Sequence, residues 1–337
     1  VINEIMYHPS SERTDEEYLE LLNIGSQDVD LTGWRLKRGV DFTFPSRVLA
    51  PGATLVVAAD VTAFTLRYPT VASVVGGWEG RLSNSGETLL LEDAAGERVD
   101  LVRYADEGDW ALRRRGPNDG GHRGWEWTSA ADGDGCSLEL CNPLLANDRG
   151  QNWADSLVEG GTPGQENTCA RTDGPPLILD VQHDPVIPAS TDAVTIRAQI
   201  VDEGPAWQTQ VVLHYRDVSG ERDHTLLQAA MFDDGLNNDG EAQDGVFATV
   251  LPPMPHATVI EFHIVAEDPS GQVRTWPAAA GLEDGSTQPL ANANFQVDDA
   301  FYAGSQPVYR LIMTELERAE LESINRSSNA QMNATLI

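Results

Sequence analysis

Hydrophobic and polar residues alternate in short segments along the first half of the chain, and turn-forming residues separate these segments. Successive side chains of a β-strand point to opposite faces, so this alternation predicts strands with one buried face. No segment before Cys169 keeps an apolar period of 3.6 residues over a useful length, which disfavours long helices there. Regular turn spacing of this kind indicates a sandwich or a barrel. The predicted strands are Val1–Tyr7, Tyr18–Asn23, Trp34–Arg38, Thr54–Ala59, Thr88–Glu92, Asp100–Tyr104 and Ser137–Leu140.

A second block of β-segments follows a stretch between residues 160 and 176 that is rich in Gly, Pro and Thr. Because this stretch has few candidates for a core, we place a domain boundary there. The alternation beyond it again predicts strands that each bury one face, at a spacing typical of an immunoglobulin-like or fibronectin-like sandwich. The strands predicted in this block are Leu177–Val181, Ala193–Val201, Gln210–Arg216, Gly245–Val250, Val259–Glu267 and Val273–Trp276.

The pattern changes after Asp299, where an α/β arrangement begins. Residues Val308–Met313 are predicted to form a strand and Thr314–Ile324 a helix. Thr314 at the N-cap and Glu317 three residues later have the spacing of a capping box. Both ends of the chain lie inside apolar alternations, so we interpret the sequence as part of a longer protein.

Acidic residues dominate the charge, with 53 Asp and Glu against 22 Lys and Arg and a formal net charge of −31. Nucleic-acid binding requires basic residues that displace counterions, so we expect neither a nucleic-acid partner nor binding to anionic membranes. No apolar run approaches the roughly 18 residues that a transmembrane helix needs. The sequence also lacks a nucleophile elbow, a Walker loop and the spacing of zinc ligands, which disfavours those enzyme classes.

Six short motifs mark the first block, namely Ile2–Met6, Glu17–Leu21, Asp30–Trp34, Leu49–Gly52, Leu82–Glu87 and Gly161–Gly164. In this order they resemble the lamin-tail domain found in secreted bacterial proteins. The resemblance implies an immunoglobulin-like β-sandwich that serves as an attachment or interaction module. It implies no catalytic centre, and it leaves the ligand open.

Residues Tyr309–Thr314 and Asn325–Leu336 resemble the opening of the CotH-like family of atypical protein kinases, first known from spore coats. The resemblance implies that the nucleotide-binding and metal-binding acidic residues of such a kinase lie downstream, so we expect no catalytic residue in this chain. The presence of both resemblances in one chain implies an extracellular or cell-surface bacterial protein with a protein or glycan partner. The first block and its neighbour would then present a CotH-like domain, or alternatively recruit substrates for a secreted CotH-like kinase.

The predicted fold class is mainly β, with two tandem immunoglobulin-like β-sandwich domains followed by the first strand and helix of a truncated α/β domain. The predicted boundaries are 1–169 for the lamin-tail domain, 170–299 for the second sandwich and 300–337 for the start of the CotH-like domain.

An acidic, glycine-containing loop at residues 231–247 is the best metal candidate, because Ca²⁺ binds several oxygen ligands on a flexible loop. An EF-hand alignment would place Gly235 and Val246 where carboxylates are required, so the loop is not an EF-hand. Two interpretations stay open, a calcium site and a metal-free hairpin built on Asx turns. The candidate calcium ligands are Asp233, Asp234, Asn237, Asp239 and Asp244.

A basic and aromatic cluster follows Arg113–Arg115, with Arg123, Trp125 and Trp127 as candidate ligand-binding residues. Arginine and aromatic side chains together can bind a sugar or an anionic glycan, which makes a carbohydrate-binding or adhesion module a further alternative function. The competing interpretation is a long loop whose tryptophans fold back on the protein.

Two smaller groups complete the candidates. A strand between Cys136 and Cys141 would hold them too far apart to pair, since each residue adds about 3.3 Å. A bridge from Cys141 to Cys169 suits an exported protein, and buried free thiols are the alternative.

The acidic run Asp15–Glu17 with Glu20 could coordinate a cation, but we interpret it as a solvated strand edge.

Overall fold

The computed structural model describes residues 1–219, 225–300, 304 and 306–337. Strands account for 38% of residues and helices for 9%, so the predicted mainly β fold class is confirmed. The chain divides into two compact units. Unit 1 comprises Val1–Leu112 and Trp127–Asp173, and unit 2 comprises Arg113–Glu126 and Gly174–Ile337. The division into three domains stays a prediction, and residues 301–303 and 305 of its last part lie outside the described residues.

The first fifteen strands alternate with tight turns. A short helix α1 (Val61–Arg67) begins after Asp60, whose side chain accepts a hydrogen bond from the Ala63 N–H. Single 3-10 turns lie at Thr14–Glu16, Gly108–Trp110 and Gly150–Asn152. The strands are β1 (Ile2–Met6), β2 (Tyr18–Leu22), β3 (Val29–Asp30), β4 (Arg35–Lys37), β5 (Val40–Thr43), β6 (Val48–Leu49), β7 (Thr54–Ala58), β8 (Val74–Gly76), β9 (Glu79–Gly80), β10 (Glu87–Glu92), β11 (Arg98–Tyr104), β12 (Leu112–Arg115), β13 (Trp125–Thr128), β14 (Leu138–Leu140) and β15 (Trp153–Asp155).

Unit 1 is a sandwich of two sheets around one core. One sheet has the order β15-β14-β1-β2-β7-β8, and the other has the order β11-β10-β4-β5-β9. Both sheets contribute to the buried core, which includes Ile5, Leu19, Leu36, Leu89 and Val102. The seven strands predicted in this block are present with ends shifted by at most two residues. The sequence missed α1, because seven residues are too few for a clear helical period; this helix supplies the crossover that the parallel pair β7–β8 requires.

The remaining elements belong to unit 2, together with the tip of the hairpin formed by β12 and β13. A single 3-10 turn lies at Ala206–Gln208, and one helix, α2, spans Glu315–Ser323 in the described part of this unit. The strands are β16 (Leu177–Asp184), β17 (Val194–Val201), β18 (Gln210–Asp217), β19 (Leu227–Met231), β20 (Val246–Leu251), β21 (Val259–Glu267), β22 (Val273–Trp276), β23 (Ala280–Gly281), β24 (Thr287–Gln288), β25 (Ala293–Gln296), β26 (Leu311–Ile312) and β27 (Thr335–Leu336).

Unit 2 is built on a second pair of sheets. The order β16-β17-β20 forms one sheet, while β19-β18-β21-β22 forms the other, with β25 also paired to β21. Their shared core includes Ile196, Leu213, Phe247, Phe262 and Phe295. All six strands predicted in this block are present. The two packed sheets agree with the predicted immunoglobulin-like sandwich class.

Strand β21 departs from the predicted pattern because both of its faces are buried. Ile260 and Phe262 lie in the core, yet Glu261 on the opposite face is only 3% exposed and His263 only 4%. Other parts of unit 2 cover this polar face; Asn292, for example, donates a side-chain hydrogen bond to Glu261. Alternation alone predicted a single buried face here, and that prediction is wrong.

The predicted capping box at the start of α2 is half present. The Thr314 hydroxyl accepts a hydrogen bond from the Glu317 N–H at 3.2 Å, so the predicted N-cap and helix are confirmed. The strand predicted at Val308–Met313 is reduced to β26, which pairs only with β27 through two residue pairs. The Glu317 carboxylate does not return to Thr314, and its actual partners define the site below.

Candidate functional site

Trp125 lies at the centre of the basic and aromatic cluster that the sequence singled out. Its ring is 6% exposed and packs with Ala280 and Ala291 in unit 2. The guanidinium carbon of Arg115 lies 4.0 Å from the ring centroid and that of Arg113 lies 5.7 Å away, both at cation–π distance. Neighbouring side chains therefore already occupy the ring surface that a sugar would need.

The indole N–H of Trp125 reaches a buried carboxylate of α2. It donates a 2.9 Å hydrogen bond to Glu317 Oε1, and Glu317 Oε2 accepts a 3.2 Å hydrogen bond from the Asn333 N–H. Glu317 is only 7% exposed. A buried carboxylate is costly unless it is hydrogen-bonded, so these two donors are what allow Glu317 to lie there.

Backbone hydrogen bonds also join the hairpin tip to the last part of the chain. The tip comprises Arg113–Glu126. The Trp125 N–H donates to the Gln331 carbonyl at 2.7 Å, and the Asn329 N–H donates to Asp119 Oδ2 at 2.6 Å. A Cβ placed on Gly124 would lie 2.1 Å from the Gln331 nitrogen, so only glycine permits this approach. We call this set of contacts the tip–helix contact.

The other two candidate ligand-binding residues differ from Trp125 in their surroundings. Arg123 donates from Nε to the Gly116 carbonyl at 2.9 Å, and its terminal nitrogens lie 3.2 Å from Glu283 Oε1. Trp127 belongs to unit 1 and is half-buried. The structure does not test carbohydrate binding, but a sugar would have to use Arg123 or Trp127 rather than the covered ring of Trp125.

The acidic loop of unit 2 directs its carboxylates at its own backbone. Asp239 is 3% exposed, and its Oδ2 accepts hydrogen bonds from the Asp234 N–H at 2.6 Å and the Gly235 N–H at 2.8 Å. Burial opposes ionisation of Asp239, but these N–H groups outweigh it and lower its pKa. The Asn237 amide donates to Asp234 Oδ1 at 3.3 Å on the exposed side of the loop.

Asp233 closes the same loop at its far end. Its Oδ1 accepts from the Gln243 N–H at 2.7 Å and its Oδ2 from the Gly245 N–H at 3.0 Å, while Asp244 Oδ1 accepts from the Val246 N–H. Among the residues that the structure describes, no group of three or more His, Cys, Asp or Glu side chains is arranged to hold a metal ion. The bond from the Val246 N–H to Asp244 is that of an Asx turn, whereas Asp233 accepts hydrogen bonds from residues ten and twelve positions further along the loop; the calcium site stays a prediction.

Three fully buried carboxylates form a second polar cluster, this one in unit 1. They hold the segment Gly160–Cys169, which we call the strap. Glu4 Oε1 accepts hydrogen bonds from the Tyr18 hydroxyl at 2.7 Å, the Ser137 hydroxyl at 2.6 Å and the strap's Thr162 N–H at 2.7 Å. Burial nevertheless raises the pKa of Glu4 to about 8.

Glu139 and Glu20 bind the strap on either side of Glu4. Glu139 Oε1 accepts from the Thr162 hydroxyl at 2.8 Å, and its Oε2 accepts from both the N–H and the hydroxyl of Thr168 at 2.6 Å. Glu20 Oε2 accepts from the Gly164 N–H at 2.5 Å. The Gly-Thr-Pro-Gly motif is therefore a largely buried segment, and carboxylates of the sheet accept the hydrogen bonds of its Thr162 and Gly164 N–H groups.

The interpretation of Asp15–Glu17 and Glu20 as a solvated strand edge is wrong for two of these residues. Glu17 is 1% exposed and Glu20 is 0% exposed. The strap's Gly164 N–H donates to Glu20 and the Leu82 N–H donates to Glu17, so a different segment covers each side chain. No short-range signal in the sequence marks this covering.

A disulfide fixes the end of the strap. Cys141 and Cys169 are bonded, with their Cα atoms 4.9 Å apart and a separation of 28 positions in sequence. Cys136 is a free, half-buried thiol. The prediction that Cys136 and Cys141 do not pair is confirmed, and of the two alternatives for Cys141 the bridge is the one present.

The six motifs of the first block thus all lie in the sandwich of unit 1. Residues 1–106 match the family model of the lamin tail domain. The matched part ends just after β11. Beyond it lie β14, β15 and the strap, whose Thr162 and Gly164 N–H groups donate to Glu4 and Glu20. This match suggests a non-catalytic binding or structural module for residues 1–106.

The search of curated proteins adds no relative, since none of them matches the chain. No helix in the described ranges is long and apolar enough to cross a membrane.

Proposed function

We propose that this chain is a non-catalytic attachment region of a secreted or cell-surface bacterial protein, and that it presents a downstream CotH-like domain. The lamin tail match supports the attachment part of the proposal. The tip–helix contact supports the presentation part, because it holds the first helix of the predicted third domain. The observation that carries the proposal is the hydrogen bond from Trp125 Nε1 to Glu317 Oε1.

The contact joins residues that are distant in sequence. Trp125 and Glu317 are 192 positions apart, and the whole second sandwich lies between them. If α2 belonged to a flexible linker, its carboxylates would be exposed to water. Glu317 is instead buried and hydrogen-bonded to Trp125 and Asn333. The hairpin tip therefore fixes where α2 begins, so a domain continuing from α2 would leave unit 2 in a defined direction.

Export is the second part of the proposal. Disulfides persist in oxidising compartments and are rare in the cytosol, so the Cys141–Cys169 bridge supports an extracellular or cell-surface location. The strongly acidic surface keeps such a protein soluble and favours basic over acidic partners.

Hydrogen–deuterium exchange of residues 311–336 tests the presentation proposal. Replacing Glu317 by Ala leaves the Trp125 and Asn333 N–H groups without their acceptor, which costs about 1–3 kcal/mol for each buried donor. We expect exchange of this segment to accelerate about tenfold or more. Trp125→Phe should accelerate the same amides, and the double variant should add little to Glu317→Ala, because the two residues share one interaction.

Glu322→Ala provides the matched control, because Glu322 lies on the same helix and is exposed. It should leave the exchange of residues 311–336 close to that of the parent chain. If this segment already exchanges in the parent chain as fast as in Glu317→Ala, α2 is not held and the presentation proposal fails.

The alternative role as a substrate-recruiting region of a secreted kinase concerns the protein beyond this chain. Phosphoryl transfer requires acidic metal ligands and a basic group on the phosphates. Finding both in the continuation of the gene after α2 would favour the kinase alternative, and their absence would favour a purely structural surface protein.

A further inference from the structure

A polar cavity of about 430 Å³ opens on unit 1, between the segment after β1 and the loop before β10. Neither the tip–helix contact nor the acidic loop involves it. Its lining includes Glu17, His8, Arg81 and Asn84, and two of the family motifs, at Glu17–Leu21 and Leu82–Glu87, meet there. Its volume lies within the range of sites for small ligands, roughly 300–1,000 Å³.

Glu17 is a buried carboxyl group in the lining of this cavity. Its Oε2 accepts a 2.8 Å hydrogen bond from the Leu82 N–H, which fixes the carboxyl group. Its Oε1 accepts no hydrogen bond from any residue described in the structure, although Glu17 is only 1% exposed. Burial raises the pKa of Glu17 to about 7, so near neutral pH this group is able both to accept and to donate.

Unoccupied donors line the rim. Arg81 is exposed, and within the described parts of the chain its guanidinium takes part in no ion pair or hydrogen bond. The exposed amide of Asn84 makes none there either. On the opposite wall the His8 ring is held between Asp132 at 2.6 Å and Glu12 at 3.1 Å. Burial opposes protonation of His8, but these two carboxylates outweigh it and raise its pKa.

Carboxylates and guanidinium groups occur in equal number in the lining, whereas the whole chain carries a formal net charge of −31. Glu12 and Glu17 are offset by Arg81 and by Arg13, which also bonds Asp15 through two nitrogens. Because both signs are present and His8 and Arg13 are already paired with carboxylates, the lining does not favour one sign of ligand charge. Its mixed donors and acceptors instead match vicinal hydroxyl groups, each of which both donates and accepts.

We propose that this cavity binds a neutral saccharide. One or two rings would lie between the two walls, with hydroxyl groups on Glu17 Oε1, the Arg81 guanidinium and the Asn84 amide. The inference goes beyond the presentation role and is independent of the tip–helix contact, because every residue it uses belongs to unit 1.

Calorimetric titration of the full chain tests this site. The neutral probes are glucose, galactose, mannose and N-acetylglucosamine, and the charged probes are glucosamine and glucuronate. We expect saturable binding of at least one neutral sugar. Arg81→Ala and Asn84→Ala should each weaken it about tenfold, the usual effect of losing a hydrogen bond to a charged or buried partner.

Arg98→Ala is the matched control, since Arg98 is an exposed arginine of unit 1 outside the cavity. It should bind the sugar like the parent chain, and thermal melts should show that all variants are folded. Three results would overturn the proposal. These are no binding of any neutral sugar up to about 10 mM, equal binding by both rim variants, and tighter binding of glucosamine or glucuronate than of every neutral probe.

Discussion

Replacing Glu4 by Gln should change how the stability of unit 1 depends on pH. Burial raises the pKa of Glu4 from its ordinary value of 4.5 to about 8 in the folded protein. Below pH 4.5 the group is protonated in both states. Between pH 4.5 and 8 the unfolded chain releases this proton and the folded chain retains it, so the free energy of unfolding falls as the pH rises.

The difference of about 3.5 pKa units corresponds to about 5 kcal/mol at most, at 1.36 kcal/mol per unit. Glu4→Gln removes the ionisation and keeps a carbonyl acceptor for the Tyr18, Ser137 and Thr162 donors. We therefore expect Glu4→Gln to lose most of the decline in stability between pH 5 and pH 8. A residual decline should remain, because burial also raises the pKa values of Glu17 and Glu20.

Urea unfolding of the parent chain and of Glu4→Gln at several pH values between 5 and 8 measures this effect. Glu97→Gln is the control, because Glu97 is an exposed glutamate of the same unit. Its stability curve should run parallel to that of the parent. If the parent gains stability as the pH rises, or if Glu4→Gln retains the full decline, Glu4 is not held protonated and the reasoning is refuted.

Three further outcomes follow from the structure. The double variant Cys141→Ser/Cys169→Ser should lose about 3–4 kcal/mol in urea unfolding, because the bridge closes a loop over 28 residues; a loss below about 1 kcal/mol would contradict this. Gly124→Ala should accelerate hydrogen exchange at Gln331, since its Cβ would lie 2.1 Å from that backbone nitrogen, and unchanged exchange would refute the close approach. Thermal melts in calcium and in excess chelator should coincide, because the loop carboxylates already bind backbone N–H groups; a rise in calcium that Asp239→Ala abolishes would show a calcium site.

Much of the fold is predictable from the sequence because alternation and turn chemistry are local. The strand at Val259–Glu267 agrees to the residue with β21, and Thr314 marks the start of α2 as its spacing indicates. Alternation fails where a second layer covers the outer face of a sheet. All five residues of β1 are buried, including Glu4, because the strap covers the face that the pattern assigns to solvent.

The candidate site was predictable only in part, for the same physical reason. The sequence marked Trp125 as unusual, but its partner Glu317 lies 192 positions away and looks like an ordinary capping residue. Glu17 and Arg81 are separated by more than sixty residues and meet only when the sandwich closes. Contacts between residues so far apart in sequence form only in the folded protein, so a local sequence pattern does not predict them.

The exchange rate of the Trp125 indole proton, followed by NMR, tests the presentation of α2 most directly. Trp125→Phe identifies the resonance, and the indole of Trp207, whose residue is 52% exposed, provides a reference within the same unit. Our account predicts that the Trp125 indole proton is strongly protected in the parent chain and loses that protection in Glu317→Ala. Exchange as fast as that of Trp207 in the parent chain would contradict it.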